Sequence, residues 1–267
     1  MKLAGMTASI AGKAAKNSLK HLSSDEEKRL QARSELMQDV GIQIAETLGE
    51  MKGAVMKVGQ IASQYKDVFP PEVATALEKL QKDAPAMPYA QIRVQVEREL
   101  KAPIHELFTE FEEMPFAAAS IGQVHRAMLP SGQRVVVKVQ YPDVDKNCDS
   151  DLKQVRMALK IAGVLNMSKQ LQEQLFHEIR QSLHDELDYI KEAHNLRVFG
   201  AFHAEDTGLI IPKVISSHSS KRILTLTEES GETLTVAATW DNDIKQKIAV
   251  RLFHFTAGQL FGLYRMH

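Results

Sequence analysis

The stretch AAASIGQVHRAMLPSGQRVVVKVQ, residues 117–140, decides how this chain folds. Its two β-leaning runs, SIGQVHRAML and RVVVKVQY, flank the turn signal Pro130-Ser131-Gly132. A third β-leaning run, LFTEF at residues 107–111, comes before them, and together they predict an antiparallel meander of three strands. Lys138 lies among valines inside the last of these strands, so its ammonium would leave a buried strand for a cleft.

Helical patterns precede the meander and predict that residues 1–100 are all-helical. A cap-like start at Ser24 leads into a long helix that ends before Pro70-Pro71. A second helix from Glu72 to Gln81 and a third from Tyr89 to Leu100 follow. The apolar stripe of the first helix is formed by Met37, Val40, Ile44, Leu48, Met51, Val55 and Val58.

Helix returns after the meander, with leucine or isoleucine at four-residue steps, and continues through Ile190 toward Phe199. The stepped positions are Leu171, Leu175, Ile179, Leu183 and Leu187. The runs LIIPKVI (209–215) and RILTLT (222–227) then predict two strands, and a closing helix is expected from Ile244 to about Leu263. This order predicts an α+β chain.

Composition excludes several classes of function. The chain has 33 basic and 34 acidic residues, so no basic surplus favours nucleic acid. Cys148 is the one cysteine, which rules out an internal disulfide or a thiolate zinc cage and fits a reducing compartment. His177-Glu178 is followed by Ile-Arg-Gln, so HExxH fails and no metal site is predicted within the chain. No apolar run reaches the length of a membrane span.

A meander with a lysine in its third strand, an acidic helix and two further strands is the order of a protein-kinase N-lobe. In such a lobe the loop between the first two strands covers the ATP phosphates. The strand lysine pairs with those phosphates, and a helix glutamate holds the lysine in place. Taken alone, Lys138 is weak evidence, since most lysines in strands are solvated residues of edge strands.

The alanine-rich segment before that lysine makes the likeness specific. Ala117-Ala118-Ala119 ending in SIGQVHRA, followed by VVVKVQ, resembles the ABC1/UbiB family of atypical protein-kinase-like proteins (aarF-domain, COQ8-type). The resemblance implies a phosphate loop rich in alanine in place of glycine. The residues it assigns to ATP are Ala117, Ala118, Ala119, Ser120, Ile121, Gly122, Gln123 and Lys138. The alternative for this loop is a small-residue β-turn packed tightly on a helix.

A second family signature, KxGQ, is matched by Lys57-Val58-Gly59-Gln60. The resemblance implies that this helical extension folds across the site where a protein substrate would dock, with Lys57 reaching toward the nucleotide. Lys57, Gly59 and Gln60 are therefore expected to be regulatory, and such a protein should be a better ATPase than protein kinase. The alternative is that KxGQ is simply part of a solvated helix surface with no regulatory role.

The family's ExD motif is matched by Glu186-Leu187-Asp188, and Glu192 follows. In a regular helix Asp188 and Glu192 project together, whereas Glu186 and Asp188 lie about 200° apart. Glu192 is assigned to the ion pair with Lys138, with Glu186 as the fallback partner. Glu186 and Asp188 are assigned to contacts with Lys57 and its extension. Outside this context the acidic run would be a solvated face.

The resemblance covers roughly residues 35–267 and divides the chain into a helical extension (1–100), a kinase-like N-lobe (101–230) and a hinge with the first C-lobe helix (231–267). Glu228 is expected at the hinge beside the nucleotide, where Thr227 replaces an acid that the family often has. In the family the catalytic Asp follows the position of His267, so the given polypeptide is expected to be inactive.

The leading hypothesis is an atypical kinase-like ATPase that binds Mg-ATP and supports ubiquinone or isoprenoid-lipid biosynthesis. Lys138 and Glu192 would be its catalytic residues. Implied partners are membrane lipid, quinone intermediates and quinone-biosynthesis proteins, with a homodimer left open. A cytoplasmic protein peripheral to a membrane is expected. The alternative is a noncatalytic module of helices that binds a partner or lipid.

Overall fold

The structure, a computed structural model, describes residues 86–119, 121–161 and 167–262, with isolated helical positions at 31, 34, 35, 38, 39, 42 and 75. The chain divides into two compact units, Met1–Glu228 and Glu229–His267. The α+β class is confirmed by an antiparallel sheet with helices. The predicted long helix from Ser24 and the helix from Glu72 to Gln81 lie largely outside the described residues.

Helices and strands alternate in blocks along the first unit. Its helices are α1 (Tyr89–Leu100), α2 (Ile104–Leu107), α3 (Val144–Ile161), α4 (Lys169–Glu186) and α5 (Tyr189–Phe202), with a 3-10 turn at Ser216–His218. Its strands are β1 (Glu110–Phe111), β2 (Ala117–Ala119), β3 (Gly122–Met128), β4 (Arg134–Gln140) and β5 (Ile223–Thr227).

The sheet has the order β1-β3-β4-β5, and β2 also pairs with β3. Its pairs are all antiparallel, and Lys138 lies opposite Val124 on one side and Leu224 on the other. The predicted meander is present, although only β1 lies within its first predicted run (107–111), and β2 is an additional strand in the segment predicted as a loop. The predicted strand at residues 209–215 is wrong, because Val214 makes only an isolated bridge to Leu226. Pro212 has no N–H to give to a ladder.

One face of the sheet carries the core. Val135, Val137 and Val139 alternate along β4 and are fully buried against Ile92 and Val96 of α1. The bounds predicted for α1, Tyr89 to Leu100, are confirmed. Because α1 shares its core with the sheet, its packing joins it to the strands.

Helix α3 was not predicted from the sequence. Its buried residues follow the three- and four-residue steps of a helix, so the signal was present. They are Cys148, Leu152, Val155 and Leu159. This stripe packs on α4, which presents Leu175, Ile179 and Leu183 from the predicted four-residue rhythm. Leu171, at the start of that rhythm, is exposed.

The second unit is helical in its described part. Helix α6 spans Leu234–Ala237 and is capped by Thr233, whose side chain accepts a hydrogen bond from the Val236 N–H. Helix α7 spans Asn242–Gly262, which confirms the predicted closing helix within the described residues. None of the described helices is both long and apolar enough to cross a membrane.

A buried polar chain joins the start of α1 to the sheet. The Gln123 carboxamide accepts from the Met87 N–H at 2.9 Å, and its Nε2 donates to His125 Nε2 at 2.9 Å. His125 Nε2 must then accept, so Nδ1 carries the proton and donates to the Glu112 carbonyl at 2.7 Å. Both side chains are almost fully buried. These hydrogen bonds require the imidazole of His125 to be neutral.

The buried imidazole predicts a loss of stability in acid. Burial lowers the pKa of His125 below its ordinary value, so below about pH 6.5 the unfolded chain binds a proton that the folded protein resists. His125 should therefore contribute stability above that pH, lost as pH falls, with a slope of up to about 1.4 kcal/mol per pH unit. Denaturant unfolding at pH 7.5 and 5.5 measures it. A His125→Asn variant with the same pH slope as the wild type would contradict this.

Candidate active site

The face of the sheet opposite the core presents the predicted site lysine. Val136 and Lys138 alternate with the core valines of β4 and lie on this face. The pairing register places Val124 of β3 and Leu226 of β5 on it as well, and both are half-buried. Lys138 thus stands at the end of a short apolar strip made by three neighbouring strands.

Lys138 is held by a carboxylate from helix α5. Its Nζ donates to both oxygens of Glu192 at 3.0 Å, so the predicted ion pair is present and Glu192, rather than the fallback Glu186, is the partner. The side chains are 25% and 36% exposed, so the pair is open to a ligand. A pair this exposed adds about 0–1 kcal/mol to stability, so its main effect is on the position of the ammonium.

The alanine-rich segment is a strand rather than a loop. Ala117, Ala118 and Ala119 are extended and pair with Val124, Gln123 and Gly122 in a tight hairpin. Among the described residues, positive φ in a non-glycine residue occurs only at Lys101 and Asp143. These three alanines therefore incur none of the backbone cost that a positive φ imposes on a residue with a Cβ. Ser120 lies outside the described residues.

Two residues predicted to contact the nucleotide belong to the buried interior. Ile121 and Gln123 are each 1% exposed, and the Gln123 amide is used by Met87 and His125. Strand alternation places Gln123 with His125 on the face opposite Lys138. Both side chains therefore have a structural role, and their predicted contact with ATP stays a prediction.

Gly122 is required by close packing of two strands. A Cβ at this position would lie 2.2 Å from the Val139 carbonyl oxygen and 2.9 Å from its carbon. Both are backbone atoms, which cannot move aside as the end of a side chain can. The glycine in SIGQ therefore lets β3 lie against β4 directly beside the alanine hairpin.

A Gly122→Ala substitution is expected to lower the free energy of unfolding by about 1–3 kcal/mol, since the added methyl overpacks against backbone. The matched control is Gly231→Ala, because a Cβ at Gly231 meets nothing within 4 Å, and it should change stability by less than about 0.5 kcal/mol. Denaturant unfolding of the two variants measures the difference. Equal midpoints for Gly122→Ala and wild type would contradict the packing argument.

Glu228 is committed to two arginines. Its carboxylate accepts from Arg126 Nε at 2.7 Å and Arg134 Nε at 2.8 Å, and its N–H donates to the Arg134 carbonyl. The bonds to Arg134 and Arg126 hold the pKa of Glu228 below its usual range. The Arg126 guanidinium also lies 3.9 Å from the centroid of Phe116, just before the alanine hairpin. Glu228, which follows β5, thus joins β5 to Arg126 of β3 and Arg134 of β4, and its predicted contact with the nucleotide stays a prediction.

The ExD segment breaks the helix that the sequence predicted as continuous. Helix α4 ends at Glu186 and α5 begins at Tyr189. Between them Asp188 caps α5, since its Oδ1 accepts from the N–H groups of Ile190 and Lys191 at 3.0 and 3.1 Å. The geometric argument from a regular helix is therefore wrong across this segment. Lys57, Gly59 and Gln60, and with them the contacts predicted for Glu186 and Asp188, lie outside the described residues.

Gln140 is a site residue that sequence reasoning missed. It follows Lys138 by two positions on the same face of β4, and its Nε2 donates to the Leu187 carbonyl at 2.9 Å. This bond ties the middle of the ExD segment to the strand of the lysine. The period of two along a strand was the available signal, since it makes residue 140 the next neighbour of residue 138.

A cysteine, an aspartate and a histidine also meet between α3 and α4. The ligand atoms of Cys148, Asp149 and His184 lie within 4.8 Å of one another. Arg180, however, donates to both Asp149 oxygens at 2.8 and 3.0 Å. These bonds, with one from His184, lower the pKa of Asp149 to about 2. A cation would compete with the guanidinium, so the group is an ion-pair network.

An antiparallel sheet whose strand lysine is held by a glutamate of a flanking helix defines a protein-kinase-like N-lobe. The model of the ABC1 atypical kinase-like domain matches residues 79–267. The chain therefore belongs to the ABC1 atypical kinase-like family.

Named relatives agree with this assignment. The chain is 38% identical to the mitochondrial atypical kinase COQ8 of Saccharomyces cerevisiae, over 70% of this chain and 38% of that protein. It is 32% identical to the mitochondrial atypical kinase coq-8 of Caenorhabditis elegans, over 82% and 29%. It is 35% identical to the probable protein kinase UbiB of Marinobacter nauticus, over 67% and 33%. The chain thus spans about a third of the length of these relatives.

A solved structure also matches. The complex of Rv3197 with erythromycin from Mycobacterium tuberculosis has a TM-score of 0.45 and 32% sequence identity, over 75% of this chain and 51% of that one.

Proposed function

We propose that this protein binds Mg-ATP on the Lys138 face of the sheet and acts as an atypical kinase-like ATPase. The observation that carries the proposal is the two-bond ion pair between Lys138 and Glu192. An ammonium has three donors, so two bonds to Glu192 leave the third for a phosphate oxygen.

The surroundings of this pair suit a nucleotide. Val124, Val136 and Leu226 form a half-buried apolar strip beside the ammonium, on which a flat base can lie. The alanine hairpin begins next to this strip and leaves Ala117 and Ala118 exposed. When bound, Mg²⁺ would neutralise part of the charge of the phosphates. In the proposed site Lys138 orients the phosphates, and Glu192 fixes Lys138.

The role of the whole protein is proposed from its family. Because named relatives are atypical kinases of the COQ8 and UbiB type, we propose a role in ubiquinone or isoprenoid-lipid biosynthesis beside a membrane. The KxGQ residues Lys57, Gly59 and Gln60, with Glu186 and Asp188, remain proposed regulatory positions. They would favour ATP turnover over protein phosphorylation.

Titration calorimetry with Mg-ATP on the purified protein tests the binding proposal. Saturable binding of one nucleotide, displaced by excess Mg-ADP, is expected. Absence of binding at millimolar Mg-ATP would leave the noncatalytic alternative, in which the same fold binds a protein partner or lipid.

A further inference from the structure

Tyr189 lies directly against the site lysine. Lys138 Nζ is 4.6 Å from the centroid of the Tyr189 ring, so the ammonium rests on the ring's electron-rich face. Tyr189 is the first residue of α5, and Glu192 is three positions further on the same helix. Residues three apart on a helix share a face, so one turn of α5 supplies both the ring and the carboxylate.

The ring is the fixed part of this pair of contacts. Tyr189 has no exposed surface, whereas the Glu192 side chain is 36% exposed. A long exposed carboxylate can change rotamer, but a ring packed on every side cannot leave without local unfolding. The Tyr189 ring is thus a rigid surface that the Lys138 ammonium contacts.

The backbone on either side of Tyr189 is also held. Its N–H donates to the Lys221 carbonyl at 3.2 Å, just before β5. Gln140 holds the carbonyl of Leu187, two residues earlier, at 2.9 Å. Strand β4, which carries Lys138, therefore also fixes the backbone segment that places the Tyr189 ring beside Lys138.

The hydroxyl of Tyr189 contributes little to this arrangement. In the described parts of the chain, Tyr189 Oη and Gln140 Oε1 are buried without a hydrogen-bond partner. Burial raises the pKa of Tyr189 far above its ordinary value, so the phenol stays neutral near pH 7. The contact with Lys138 is made by the ring, which phenylalanine would also supply.

We propose that Tyr189 is a positioning residue whose aromatic ring holds the Lys138 ammonium in place, so that Glu192 and an ATP phosphate approach it from its open sides. This inference rests on the proposed function. Tyr189, the residue directly after ExD, would affect phosphate binding only through the position of Lys138.

Three substitutions at this position separate the ring from the hydroxyl. Tyr189→Phe should bind Mg-ATP within about 2-fold of the wild type, because it keeps the cation–π contact. Tyr189→Leu should weaken binding about 3- to 30-fold, because it removes that contact. Pentafluorophenylalanine at position 189 keeps the shape of the ring and reverses its charge distribution. It should weaken binding relative to Tyr189→Phe even if Tyr189→Leu fails to fold.

Two further measurements show that the effect passes through Lys138. Adenosine, which has no phosphate, should bind equally to the wild type and to the pentafluorophenylalanine variant. In a Lys138→Ala background the change from Phe to pentafluorophenylalanine should no longer alter Mg-ATP affinity. Equal Mg-ATP affinity of the Phe and pentafluorophenylalanine variants would overturn the inference. So would an equal loss of Mg-ATP affinity, from Phe to pentafluorophenylalanine, in the Lys138→Ala background. If the wild type itself fails to bind Mg-ATP, the proposed function fails instead.

Discussion

Replacing Lys138 by alanine is expected to weaken Mg-ATP binding about 10- to 150-fold, because a charge-assisted hydrogen bond contributes about 1.5–3 kcal/mol. The lost group is the ammonium that Glu192 and Tyr189 hold on the open face of the sheet. Melting temperature with and without Mg-ATP gives a rapid measurement, and calorimetry gives the affinity. The variant should fold, since Lys138 adds little to stability.

The matched control for this prediction is Lys153→Ala. Lys153 is an exposed lysine of α3, away from the sheet, and its loss should leave Mg-ATP affinity within about 2-fold. Glu192→Gln should be intermediate, because the amide can accept only one of the two bonds and carries no charge. An unchanged Mg-ATP affinity in Lys138→Ala would refute the site.

The largest expected loss of stability follows replacement of Arg222. Its guanidinium donates to Glu99 of α1 at 3.1 Å and to Asp145 at the start of α3, so it joins two helices to β5. The Arg222, Glu99 and Asp145 side chains are only 25%, 11% and 24% exposed. Arg222→Ala leaves two carboxylates in this partly buried space and should cost about 2–3 kcal/mol.

Arg93→Ala is the control for Arg222. Arg93 lies on the same helix as Glu99 but forms an exposed ion pair with Glu97 one turn away, with 54% of its side chain exposed. Its loss should leave the free energy of unfolding nearly unchanged, because an exposed ion pair contributes little. Arg222→Lys should recover only part of the loss, since an ammonium lacks the planar fork. If denaturant unfolding shows equal losses for Arg222→Ala and Arg93→Ala, the three-residue network does not stabilise the fold as argued.

The strands of the site were predictable because their signals are local. β3 and β4 follow from two β-leaning runs around a turn, and alternation within β4 places Lys138 opposite the core valines. Helix α1 was predicted to the residue because Pro88 precedes it and its apolar positions repeat. The Lys138–Glu192 pair needed the family resemblance in addition, since 54 residues separate its members.

Three features could not be predicted from the sequence, because they depend on helix capping, on contacts between distant residues or on strand register. Leu187 continues the four-residue apolar rhythm of α4, so the pattern gives no sign that the helix stops there. The helix stops because the carboxylate of Asp188 caps α5. In the sequence this aspartate looks like any other surface aspartate, so its capping role could not be predicted. Arg222 meets partners 77 and 123 residues away, which no local pattern records. Gln123 could be assigned to the interior only once the register of β3 against β4 was known.

Lys138 is the lysine that we propose contacts the phosphates of ATP. An acyl-phosphate derivative of ATP transfers its acyl group to a lysine beside the bound phosphates, and mass spectrometry then locates the modified residue. We predict labelling at Lys138 that excess Mg-ATP suppresses and that Tyr189→Phe preserves. Labelling that Mg-ATP suppresses at another lysine, with Lys138 unmodified, would contradict the account.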